Sequence, residues 1–174
     1  NPTATVNAIS NQAVCNGTAV SAINFASSAT GGTVSYAWTN NNTSIGLAAS
    51  GTGNIASFTA TNSSNAPITG TITVIATYTN AGISCASAPQ TFVYSVNPTA
   101  TVNAISNQAV CNGAAVSAVN FATTATGGTV TYAWTNSNSS IGLAASGTGN
   151  IASFNAINNS NVPVTATITV TPTF

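Results

Sequence analysis

The stretch "SYAWTNNNTSIGLAASGTG" at residues 35–53 returns at residues 131–149 as "TYAWTNSNSSIGLAASGTG". The echo runs in both directions, and residues 1–78 and 97–174 differ at only 16 of 78 aligned positions. Exchanges such as Ile23 for Val119, Ser35 for Thr131 and Tyr78 for Phe174 keep shape and polarity. A period of 96 residues with this fidelity requires two copies of one fold, each of ordinary single-domain size. The expected domains are residues 1–96 and 97–174. The second copy carries no equivalent of residues 79–96, so its last strand is expected to be missing. Either the polypeptide continues beyond Phe174 or another subunit donates that strand.

Within each copy the hydrophobic period is two. Val34, Tyr36 and Trp38 share one face of an extended segment, and Ser35, Ala37 and Thr39 the other. The same alternation runs through Ile72, Val74 and Tyr78, and through Phe92, Tyr94 and Val96. Clusters such as "TGG", "TNNNTS" and "SGTGN" punctuate these runs as turns. The pattern predicts strands near residues 3–9, 18–27, 33–40, 54–61, 69–79 and 90–97, with a further short one at 45–49, and no helix. Six or seven short strands per copy predict an all-β protein of two tandem antiparallel β-sandwiches. Tyr36, Trp38, Tyr132 and Trp134 are the expected core aromatics.

The chain contains no Lys, Arg, Asp, Glu or His. General acid–base catalysis has no residue titrating near neutrality to use, so an enzyme is not expected. No carboxylate or imidazole is present to hold a metal, and Cys15, Cys85 and Cys111 are far apart, so neither a metal nor a cofactor is expected. Nucleic acid is excluded as a partner by the absence of phosphate-neutralising cations. Polar residues interrupt every apolar run within a few positions, which excludes insertion of an apolar helix into a membrane. Electrostatic attraction to a membrane surface is lost as well, because the chain has no Lys or Arg.

At "YAWTN", "SIGLAASGTGNIASFTATN" and "TITVIATYTNAGISC", followed by a last strand ending in "NP", the chain resembles the PKD-like, immunoglobulin-like tandem repeats of giant surface adhesins and gliding-associated proteins of Bacteroidota. The resemblance covers essentially the whole chain. It implies an extracellular β-sandwich array, exported by a type IX system and attached at the cell surface, with no catalytic residue. Calcium-binding PKD relatives carry an acidic turn after the Trp, and here that turn is "TNNNTS", which has no carboxylate.

Cysteine usage raises a question of pairing. Cys15 and Cys111 are equivalent, and one disulfide per repeat is expected, for which Cys15 and Cys85 are the candidates. Closing their 70-residue separation contributes roughly 4 kcal/mol by loop-closure entropy. Strand topology opposes the pairing, because in a simple sandwich the two loops lie at opposite poles. Residues 10–16 folding back along the sheet, a staple between neighbouring repeats, or free buried thiols are the three ways out. Topology also disfavours Cys85 with Cys111.

Asn97 and Pro98 lead from one last strand into the next first strand without a spacer, which predicts a semi-rigid array. Asn16, Asn41, Asn42, Asn62, Asn138 and Asn158 satisfy the N-x-S/T pattern and are candidate glycan acceptors, although loops this rich in Asn, Ser and Thr generate the tripeptide by chance. Three function classes remain. The first is a structural stalk of an extracellular adhesin or filament, whose partners are further copies of the repeat. The second is a surface-glycan-binding module using Tyr36, Asn40, Asn41 and Asn42, which requires an exposed aromatic platform. The third is a patterned surface of the ice-binding type, signalled by Thr69, Thr71 and Thr73, which requires a flat Thr array across several strands.

Overall fold

Strong alternation in residues 33–40, 68–80 and 90–97 gives three long strands, and everything else in the first copy is arranged around them. The computed structural model describes residues 1–174. They form two compact units, Asn1–Pro98 and Thr99–Phe174. No α-helix is present, and no helix is long and apolar enough to cross a membrane.

In the first unit the strands are β1 (Gln12–Cys15), β2 (Ala19–Val20), β3 (Thr33–Asn40), β4 (Ser50–Thr52), β5 (Phe58–Thr59), β6 (Ile68–Asn80), β7 (Ile83–Ala86) and β8 (Gln90–Asn97). The main sheet runs β1-β8-β6-β3-β4, with β7 also paired to β6. All its pairings are antiparallel except β1 with β8, which is parallel. A short antiparallel ribbon of β2 and β5, prolonged by a bridge between Ile23 and Ile55, closes over it. Between the two layers lie Trp38, Ile72, Val74, Phe92, Tyr94 and Val96 from the sheet, packed with Val20, Ile23 and Ile55 from the ribbon side. Each such side chain contributes about 1.5–3 kcal/mol when fully buried, so this one layer of contacts dominates the stability of the unit.

The sheet's longest hairpin turns at Ala81 and Gly82, both at positive φ (49° and 77°), a primed two-residue turn between β6 and β7. The returning strand then bulges. Thr77 pairs with Ala86 and Val74 with Gln90, so Ser87, Ala88 and Pro89 face only Ile75 and Ala76. Ser87 closes the bulge: its N–H donates to Ala76 O at 2.8 Å, and its Oγ accepts from Ala76 N at 3.0 Å. Pro89, which has no N–H, sits in the bulge where no ladder bond is required of it.

Several expected strands differ. Residues 3–9 form no ladder, although Ala4 is buried and Val6 and Ile9 pack on the core. They are tied irregularly, Thr5 N–H to Ser27 Oγ and Asn7 N–H to Ala26 O. The segments 18–27 and 54–61 shrink to β2, β5 and the single bridge. At 45–49 the chain instead makes a 3-10 turn (Thr43–Ile45), capped by Asn42, whose side chain accepts from Ser44 N, before β4 begins at Ser50.

The second unit contains β9 (Ala115–Val116), β10 (Thr131–Asn136), β11 (Ser146–Thr148), β12 (Phe154–Asn155) and β13 (Ile168–Thr173). Its sheet runs β11-β10-β13, and its ribbon is β9 with β12, prolonged by the Val119–Ile151 bridge. Phe121, Trp134 and Ile151 form its buried core. Residues 108–111 repeat the "QAVC" of β1 but are not a strand.

Candidate functional site

Because β3, β6 and β8 lie side by side, every second residue of each faces away from the core on one continuous surface. On β6 these are Thr69, Thr71, Thr73, Ile75, Thr77 and Thr79. The registers align them with hydroxyls on the neighbours: Ser50, Thr39, Thr73 and Thr91 form a row across four strands. A second row is Thr33, Thr79 and Ser84, in which Thr79 Oγ1 and Ser84 Oγ share a hydrogen bond of 2.9 Å. Spacing is about 4.8 Å between strands and about 6.7 Å between alternate residues along one. The second unit repeats the pattern with Ser146, Thr135 and Thr169 in one row and Thr131 opposite Thr173. Two of its departures from the first copy, Thr131 for Ser35 and Thr171 for Ile75, add threonine to this face. The surface therefore offers neutral donors, acceptors and methyl groups at regular intervals, and no charge.

The glycan platform expected at Tyr36, Asn40, Asn41 and Asn42 is not presented. Tyr36 is half-buried against Phe25, ring centroids 5.5 Å apart, and Tyr132 packs on Phe121 in the same way. Both tyrosines line the edge of the core, whereas Trp38 and Trp134 lie within it. Burial raises the Tyr36 phenol above its ordinary pKa. Asn40 is buried and donates to Asn42 O and Leu47 O, holding the turn after β3. Asn41 Oδ1 accepts from Thr71 N. No aromatic side chain is among the exposed large apolar ones.

Most candidate glycan acceptors use their amides internally. Asn62 is 3 % exposed and donates to Ala66 O and Val96 O, which leaves no room for a sugar. Asn42 and Asn138 donate to Thr69 O and Thr165 O across the turn, and Asn158 donates to Val162 O. Asn16 Oδ1 accepts from Asn62 N.

All three cysteines are free thiols, Cys15 and Cys111 exposed and Cys85 half-buried. Cys15 lies opposite Asn97 at one end of β8, and Cys85 lies opposite Tyr78 on β6. Ile68 marks the level of Val96, so about ten residues of β6 separate the two thiols, roughly 33 Å. The expected Cys15–Cys85 disulfide is therefore not formed, and residues 10–16 do not fold back to make it.

The sequence signalled only Thr69, Thr71 and Thr73 on a single strand. Thr39 and Thr91 already occupied outward positions of their own strands, but inter-strand register is not written in either strand alone. The chain matches no model of a known protein family and no curated protein.

Proposed function

We propose that this chain is a non-catalytic structural module of an extracellular adhesin or surface filament. The observation that carries the reading is an all-β chain whose two near-identical sequence copies each pack a tryptophan into a buried core and carry no charged side chain. Such a surface has no carboxylate, ammonium, guanidinium or imidazole side chain for salt to screen, so its contacts persist across ionic conditions that weaken charged interfaces. The resemblance to PKD-like adhesin repeats points the same way. Antibodies raised against the chain should label intact cells that produce it. Labelling that appears only after permeabilisation would overturn the reading.

A second reading is favoured by the hydroxyl rows on the outer face of the main sheet. Such a surface hydrogen-bonds to an ordered array of neutral hydroxyls or water, and ice is the simplest lattice to test. Thermal hysteresis that is lost on Thr73→Tyr supports it. Ice growth indistinguishable from that in an inert protein of equal mass rules it out.

A further inference from the structure

We propose that Asn41 is the single N-linked glycan acceptor of this chain, taking an oligosaccharide from a polyprenyl-diphosphate donor. The competence of Asn41 follows from the folded turn after β3. Its use by a producing cell rests on the extracellular location proposed above.

The chemistry sets two demands. A bond forms between Asn Nδ2 and the anomeric carbon of the first sugar, and the bond from that carbon to the diphosphate oxygen breaks. The diphosphate leaves with the electron pair, and Nδ2 gives up one proton to the transferase. The nitrogen must therefore face solvent, and the hydroxyl two residues on must be accessible too, because N-x-S/T is the pattern recognised.

Five of the six patterns are obstructed. Asn42, Asn62, Asn138 and Asn158 donate from Nδ2 to backbone carbonyls, at Thr69, Val96, Thr165 and Val162 respectively. A nitrogen held in this way points into the protein. Asn16 is half-buried, with its Oδ1 tied to Asn62 N–H and its own N–H tied to Asn97 O.

Asn41 is turned the other way round. A backbone N–H can only donate, so the bond from Thr71 N at 2.8 Å fixes the oxygen of the planar amide toward β6. Nδ2 then points away from the sheet, and no group of the fold claims it. Asn41 N–H donates to Thr71 O at 3.2 Å, which holds the backbone in place as well. Asn41 and Thr43 are both exposed.

The second copy isolates the decisive difference. Ser137 stands at the equivalent position with the same two bonds: its N–H donates to Thr167 O at 3.0 Å, and its Oγ accepts from Thr167 N at 2.8 Å. The turn thus holds either side chain, and only the first copy offers a nitrogen. A glycan at Asn41 also stands close to the start of the edge strand β4, since Asn40 N–H is bonded to Ala49 O at 2.7 Å. It hydrates an edge that has no charge to repel another.

The test incubates the folded 174-residue chain with a purified oligosaccharyltransferase that accepts N-x-S/T and with its lipid-linked donor. The free peptide Thr39–Leu47, which the enzyme modifies, serves as the positive control. Chymotryptic digestion, cutting after Trp38 and Leu47, and electron-transfer fragmentation then locate the sugar. One glycan is expected, on Asn41, at least about tenfold more abundant than on any other Asn, the ratio set by one lost hydrogen bond. Asn41→Ser copies the second unit and should abolish modification. Ser137→Asn completes the pattern with Asn138 and Ser139 and should add a second glycan. Each substitution puts in place a residue that the equivalent turn already holds, so the fold should persist, and an unchanged melting temperature checks this. The reaction uses purified protein, so its outcome is independent of where the protein resides. A folded chain left bare while the peptide is modified would overturn the proposal. So would a sugar on any of the other five, modification that survives Asn41→Ser, or no second glycan on Ser137→Asn.

Discussion

Trp38 lies with its indole across the backbone of Gly51, its register partner on β4, and Trp134 lies in the same way across Gly147. A Cβ at Gly51 would stand 2.6 Å from Trp38 Cε2 and closer still to Cζ2. The glycine is therefore required by the ring rather than by the backbone. Both indole N–H groups are buried without a partner. Such an orphan costs about 1–3 kcal/mol, so the packing of the ring must outweigh it. Gly51→Ala should destabilise the first unit by about 2 kcal/mol or more, and Gly147→Ala the second. Chemical denaturation followed by tryptophan fluorescence checks this, and a neutral result for either would mean that the ring moves aside freely.

Asn62 and Asn158 form an internal control. Asn62→Ala removes a donor from two carbonyls in a buried site and should cost about 2–3 kcal/mol. Asn158→Ala removes one such bond from a half-buried residue and should cost about 1 kcal/mol. Hydrogen exchange resolved by unit distinguishes the two, and equal losses would contradict the account.

Ala81 adopts a left-handed conformation that alanine disfavours. Ala81→Asn creates the Asn-Gly pair that primed hairpin turns prefer, and should raise stability by about 0.5–1 kcal/mol. A lower melting temperature would show that the turn is not held as described.

Tyr94 is fully buried with an unpartnered hydroxyl, and burial pushes its pKa up to about 12. The fold favours the neutral phenol. Its contribution is complete below pH of about 10, where the unfolded side chain begins to ionise, and is lost as pH rises from there towards about 12. The step should amount to about 2–3 kcal/mol and be absent from Tyr94→Phe. On the acid side no carboxylate or imidazole side chain exists to drive unfolding, so melting curves between about pH 3 and 8 should nearly coincide.

Oxidation should join chains through exposed Cys15 and Cys111 rather than close a loop from Cys15 to Cys85. Mass spectrometry of digested material shows which linkage forms. A Cys15–Cys85 peptide would contradict the register of β1, β8 and β6.

The parts of the fold visible in the sequence were those whose information is local. Val34, Tyr36 and Trp38 alternate strongly enough to fix β3, and the same holds for the inward residues of β6 and β8. The "NAGI" turn between β6 and β7 carried a local signal too, but the four-residue run of β7 is too short to stand out. β1 is different in kind. "QAVC" is a strand at Gln12–Cys15, where β8 offers an edge, and irregular at residues 108–111, where none does. Identical letters take two structures because strand propensity is mostly a statement about neighbours. Residues 3–9 mislead for the same reason: their alternation is real and their side chains pack, but no backbone edge lies beside them. The hydroxyl rows were half legible, since each strand shows its own outward threonines and only pairing brings Thr39, Thr73 and Thr91 into line.

The parallel pairing of β1 with β8 has a mechanical meaning. The two strands point the same way, so tension entering before Gln12 and leaving after Asn97 pulls them in opposite directions along their common axis. The hydrogen bonds between them are then loaded together in shear and must break as a group instead of parting one at a time like a zip.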